Sequence, residues 1–216
     1  VGAMIHFFHG QFDHPSIWNN YKFDESNCKT YNLYELSQND IDKIKINCDD
    51  LLVGYSLGGR IALKIASNNY FKLKKLILMS CHPGLDEEDK NERRLWEEEV
   101  LLRLHTNSLE DFFNYWNSLP LFSDSFDYRP LDKNLFKKSI KLFENNRLSN
   151  QPNFTQEMKM NKDKILYIFG YKDKKYTDIA WKLALSGIQT FGIRSDHRVH
   201  LHKKKIQELI QRELNS

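Results

Sequence analysis

The sequence predicts an α/β protein: a mostly parallel sheet of about six strands, flanked by helices and interrupted by a helical insertion. Three observations lead there. Short apolar runs alternate with stretches whose apolar residues recur at helical spacing. One long segment, 84–161, loses the strand signal. The 216 residues suit one domain carrying one insertion.

Met4-Ile5-His6-Phe7-Phe8 is a strand-sized apolar run that stops at His9-Gly10. Tyr31 to Leu36 alternates and is read as a second strand. Asp50 to Tyr55 has the near-continuous apolar character of a strand buried on both faces. After Ser56, the residues Ile61, Ala62, Ile65 and Ala66 recur as a helix stripe. Leu73 to Ser80 is the next strand. Charged helical stretches rich in large aromatics follow: Trp96, Phe112, Phe113, Tyr115, Trp116, Phe122 and Phe126. Lys164 to Gly170 and Ile188 to Ile193 resume the strands, and Ile206, Leu209, Ile210 and Leu214 mark a closing helix. The expected organisation is a first half of the α/β core at 1–83, a helical cap at 84–161 and a second half of the core at 162–216.

Composition excludes several classes. Charged residues are 28% and hydrophobic ones 40%, the balance of a globular chain rather than a disordered one. The net charge of +3 arises from 32 basic against 29 acidic residues scattered along the chain, so neither a nucleic-acid tract nor a polybasic membrane anchor is expected. The apolar runs fall short of a membrane span. Cys28, Cys48 and Cys81 form no paired framework, which suits a reducing compartment. Met4 reads as the native start, and a cytoplasmic location is expected.

The sharpest chemical signal is Gly54-Tyr55-Ser56-Leu57-Gly58-Gly59, between a buried strand and a helix. This is the context of a G-x-S-x-G nucleophile elbow. The strained turn projects the Ser56 hydroxyl, and the chain packs so closely that positions two before and two after must lack Cβ. His9-Gly10-Gln11 follows the first strand, where one oxyanion N–H is expected from Gln11 and a second from Leu57. Asp173 falls in the loop after Lys164–Gly170, and His197 after the next strand. The order Ser, Asp, His is that of the α/β-hydrolases. Asp178 and Asp196 are rival acids, the first inside an expected helix and the second adjoining His197. His200 and His202 could form a metal run with His197, but no carboxylate or cysteine at ligand spacing accompanies them, so neither a metal nor an organic cofactor is expected.

Val53 to Arg60, followed by Cys81-His82-Pro83-Gly84-Leu85, resembles the 2-succinyl-6-hydroxy-2,4-cyclohexadiene-1-carboxylate (SHCHC) synthases of menaquinone biosynthesis, α/β-hydrolase-fold lyases. The likeness runs from about Phe7 to about Leu209. It implies Ser56, Asp173 and His197 as the triad, and Tyr55, Arg60, Arg94, Trp116 and Arg147 as substrate-binding residues, with Arg93 a one-residue alternative to Arg94. It implies a small polycarboxylate substrate from which pyruvate is eliminated; several guanidinium forks suit several carboxylates. Two departures stand out: Glu-Leu-Ser-Gln-Asn-Asp where relatives have a Pro-Gly-His-Gly turn, and Asp196 where they have Gly. The same triad would serve a carboxylesterase, for example one acting on a pimeloyl carrier-protein methyl ester, with the carrier protein as partner. A non-catalytic binding protein on the same scaffold is the third reading.

Overall fold

The structure, a computed structural model, describes residues 2–19, 21–123 and 131–216. Phe126 lies outside them. Six strands form one parallel sheet: β1 (Ile5–Phe8), β2 (Cys28–Tyr31), β3 (Leu51–Tyr55), β4 (Lys75–Met79), β5 (Ile165–Gly170) and β6 (Gln189–Ile193), in the order β2-β1-β3-β4-β5-β6. The helices are α1 (Gln38–Asp42), α2 (Leu57–Asn68), α3 (Glu87–Thr106), α4 (Leu109–Asn117), α5 (Lys133–Asn145), α6 (Thr155–Met160), α7 (Lys174–Leu185) and α8 (Lys203–Asn215).

Period-two alternation divides the strand residues between two cores. Leu51, Val53, Tyr55, Ile77, Met79, Leu166 and Ile168 face one side, where Ile206, Leu209 and Ile210 of α8 cover them. Leu52, Leu76, Leu78, Ile165 and Tyr167 face the other, beneath Ile61, Ala62 and Ile65 of α2 and Ala180 and Leu183 of α7. Burial on both faces explains why these strands read as unbroken apolar runs.

The second strand differs from the sequence expectation. It is Cys28–Tyr31, and 32–36 form a turn. Asn32 makes that turn, its Oδ1 accepting from Tyr34 N at 3.1 Å and its carbonyl from Glu35 N at 3.0 Å. Leu33 and Tyr34 are buried from the turn, which imitates a strand's alternation.

Between β4 and β5 run α3 to α6. Phe112, Phe113 and Phe143 from this segment join the α2-side core. Phe12, from the loop after β1, inserts among them, 5.1 Å from Phe112 and 4.8 Å from Trp116 in edge-on contacts. Among the described residues no helix is long and apolar enough to cross a membrane.

Candidate active site

The sheet order reverses between β1 and β3, since β2 lies outside β1 and the later strands follow β3 in the other direction. The crevice at the carboxyl ends of such strands is where open α/β sheets bind ligands. Four loops meet there. Gln11 follows β1, Ser56 follows β3, Asp173 follows β5 and His197 follows β6.

Ser56 has φ 52° and ψ −114°, and its N–H donates to the Met79 carbonyl at 2.8 Å. The glycines around it are required sterically. A Cβ on Gly54 would lie 2.5 Å from the Gly58 carbonyl oxygen, and one on Gly58 would lie 2.3 Å from that of Phe8. Leu57 opens α2, so its N–H belongs to the helix's unpaired first turn.

The His197 Nε2 lies 3.1 Å from Ser56 Oγ, and its Nδ1 lies 2.8 Å from Asp173 Oδ2. Asp173 and His197 are both buried. Asp173 also caps α7, accepting from Tyr176 N. The imidazole is enclosed by Tyr176 at 4.5 Å, Tyr55 at 5.6 Å and Phe122 at 5.7 Å between ring centroids. Its backbone N–H donates to the Leu121 carbonyl at 3.0 Å. Asp196 instead accepts from the Arg198 N–H at 2.9 Å, and Asp178 lies within α7. His200 packs on Tyr55 at 4.1 Å.

The loop after β1 is pinned from two sides. His9 is fully buried; its Nε2 accepts from Leu33 N at 3.0 Å and its Nδ1 lies 2.8 Å from the Gly10 carbonyl. Burial lowers its pKa to about 4, so it stays a neutral strut. The Gln11 side chain donates to the Ser139 carbonyl of α5 at 2.8 Å.

Ser56 opens on a cavity lined also by Gln11, Tyr55, Leu57, Arg60, Trp116 and His197. Arg93 lines it too; Arg94 and Arg147 do not. Arg94 is corrected by helix phase. Trp96, Glu97 and Val100 face inward from α3, and Arg93 shares their side at i+3, i+4 and i+7, whereas Arg94 is turned some 100° to solvent. Arg93 stacks over Trp96 at 4.2 Å and donates to Glu97 Oε1 at 2.8 Å. Arg147 lies in a separate groove with Lys64 and Asn150, its guanidinium 3.8 Å from Glu98. Arg60 borders both spaces and donates to Gln151 Oε1 at 3.1 Å. Burial, then the nearby Arg93, draws the Arg60 pKa down to about 10, which leaves it charged at neutrality.

Sequence reasoning passed over Lys175, Tyr176 and Arg198, which also line the cavity. Their adjacency to Asp173 and His197 was the available signal. Arg198 is buried, lies 3.9 Å over the Phe122 ring and donates to Asn117 Oδ1.

The fold and this crevice define an α/β-hydrolase-fold protein. Comparison agrees: an α/β-hydrolase enzyme from a Medee basin deep-sea metagenome library superposes with a TM-score of 0.65 at 15% identity, over 100% of this chain and 90% of that one. Within that class the chain is similar to SHCHC synthases. It is 27% identical over 143 residues to the 2-succinyl-6-hydroxy-2,4-cyclohexadiene-1-carboxylate synthase of Escherichia coli O7:K1, a match over 63% of this chain and 57% of that enzyme. The match thus spans less than two thirds of the relative's length. MenH from S. aureus shares the fold with a TM-score of 0.74 at 22% identity, over 99% of this chain and 93% of that one. No protein-family model matches the chain.

Proposed function

We propose that this chain is a Ser-His-Asp lyase that eliminates pyruvate from 2-succinyl-5-enolpyruvyl-6-hydroxy-3-cyclohexene-1-carboxylate to give SHCHC, the step its relatives are named for. The observation that carries this reading is a Ser56–His197–Asp173 hydrogen-bond chain opening on a cavity that also holds Arg60 and Arg93. A lipophilic esterase gains nothing from guanidiniums beside its nucleophile, whereas a tricarboxylate needs them.

Asp173 fixes the His197 tautomer that leaves Nε2 free to take the Ser56 proton. The serine alkoxide removes the proton from the ring carbon next to the succinyl ketone. That electron pair forms a ring double bond, the existing one shifts by one position, and the bond to the enolpyruvyl oxygen breaks. Protonated His197 returns its proton to the leaving enolpyruvate, which tautomerises to pyruvate. Charge that develops on the ketone oxygen is met by the N–H groups of Gln11 and Leu57. Arg60 and Arg93 hold carboxylates, Tyr55 and Trp116 form walls, and the helices of 84–161 act as a cap. Neither an acyl-enzyme nor a cofactor enters the scheme.

The test supplies purified protein with the precursor deuterated at the ring carbon that loses its proton. Pyruvate is followed with a coupled dehydrogenase and the protein by intact mass. The reading predicts pyruvate, slower release from the deuterated precursor, and no adduct on Ser56. Absence of pyruvate, with a burst on p-nitrophenyl esters and an acylated Ser56, would replace it with ester hydrolysis.

A further inference from the structure

Lys175 stands in the first turn of α7, two residues after Asp173, and lines the same cavity as Ser56, Arg60 and Arg93. This is a costly place for a cation. A helix N-terminus carries positive partial charge and favours anions, and the acid that caps α7, Asp173, is shared with His197 while the first turn itself contains none. Among the described residues the lysine forms no ion pair, and the carboxylates of Asp173, Asp89 and Glu97 offset only part of what burial and Arg93 cost it.

Its neighbours add to the imbalance. Glu97, the buried acid on this wall, is already committed: it accepts from Arg93 Nε at 2.8 Å, Leu148 N at 2.7 Å and Ser149 Oγ at 2.6 Å. Desolvation and then Arg93 lower the Lys175 pKa, and the same two causes act on Arg60. Three cations therefore face one space and repel one another, and the two buried carboxylates nearby are already engaged, Glu97 by Arg93, Leu148 and Ser149, and Asp173 by His197 and Tyr176 N. An anion entering there relieves the repulsion and finds the helix N-terminus behind it.

We propose that Lys175 is a substrate-binding residue that, with Arg60 and Arg93, takes one carboxylate of the substrate. The assignment rests on reading the cavity as a polycarboxylate site, and it adds a residue outside the arginine set. It also explains the placement of Arg94 and Arg147 outside the cavity: the cationic wall is completed from α7 rather than from those two positions.

Succinate serves as the probe, titrated into the full chain by calorimetry, with 13C-labelled lysine side chains followed by NMR. Saturable binding is expected. Lys175→Gln should weaken it about tenfold or more, the scale of one charge-assisted contact. Lys175→Arg should restore most of that loss, and Lys174→Gln, on the same turn but outside the cavity lining, should change it less than twofold. Succinate should also raise the Lys175 pKa, because an adjacent anion favours the charged form. Equal affinity in Lys175→Gln and the parent chain overturns the proposal, as does a Lys175 signal unmoved at saturation or no binding by the parent chain. The readout needs no turnover. Failure of pyruvate elimination with succinate binding intact would remove the lyase reading and leave the anion site standing.

Discussion

Ser56 keeps its positive φ because the chain around it leaves no alternative. Two glycines let the β1 backbone and the start of α2 close over the elbow, so the strain is held by contacts rather than by the serine. Gly58→Ala should therefore cost several kcal/mol in urea unfolding, since its Cβ meets rigid backbone 2.3 Å away. This site was readable from sequence because its requirement is steric and lies within six residues. The arginines were less so. Arg93 and Arg94 differ by one position, and only the phase of α3 decides which faces the cavity. Arg93→Ala should lower kcat/KM on the precursor at least tenfold, and Arg94→Ala less than twofold, in parallel steady-state assays. Lys175 and Arg198 gave only their adjacency to Asp173 and His197 as a signal, since a lysine in a Lys-rich loop reads as a surface charge until the loop is placed.

Strands were legible where both faces are buried and illegible at the sheet edge. β3, β4 and β5 announce themselves as apolar runs, while β2 contributes Lys29 and Thr30 to solvent and cedes its apolar residues to the turn that follows. The helices of 84–161 were legible as helices, but their attachment to the site was not. It runs through contacts between residues far apart in the chain: Gln11 to Ser139, His197 to Leu121, and Phe12 into the aromatic cluster. Glu97 does the same work within the insertion, tying α3 to the turn at 148–150. Burial raises its pKa, but the bonds from Ser149 and Arg93 outweigh that and leave it below the usual carboxylate value. Glu97→Gln replaces one accepting oxygen by an NH2 donor that faces other donors and should cost about 2 kcal/mol or more in denaturant unfolding. Its kcat/KM should fall with that of Arg93→Ala, because Arg93 loses its anchor.

The whole molecule carries buried histidines that titrate against folding. Burial lowers His9 to about 4 and His82 to about 3, from an unfolded value near 6.5, and lowers His6 as well. Below pH 6.5 the unfolded chain binds protons that the folded one refuses, so stability is full above that value and falls as the pH drops toward 4. At pH 5, His9 and His82 each cost on the order of 2 kcal/mol relative to pH 7. Melting curves should accordingly show Tm falling by roughly ten degrees over that interval. Double substitution of His9 and His82 by Asn should flatten the slope.

The central claim joins one hydroxyl to one reaction, and pyruvate release from the enolpyruvyl precursor tests it most directly. Wild-type protein and Ser56→Ala are compared at equal concentration, with folding of the variant checked by its melting curve. The account predicts catalytic release by the wild type and a loss of about a thousandfold or more in the variant. Equal rates in the two proteins, or no release by either, would contradict it.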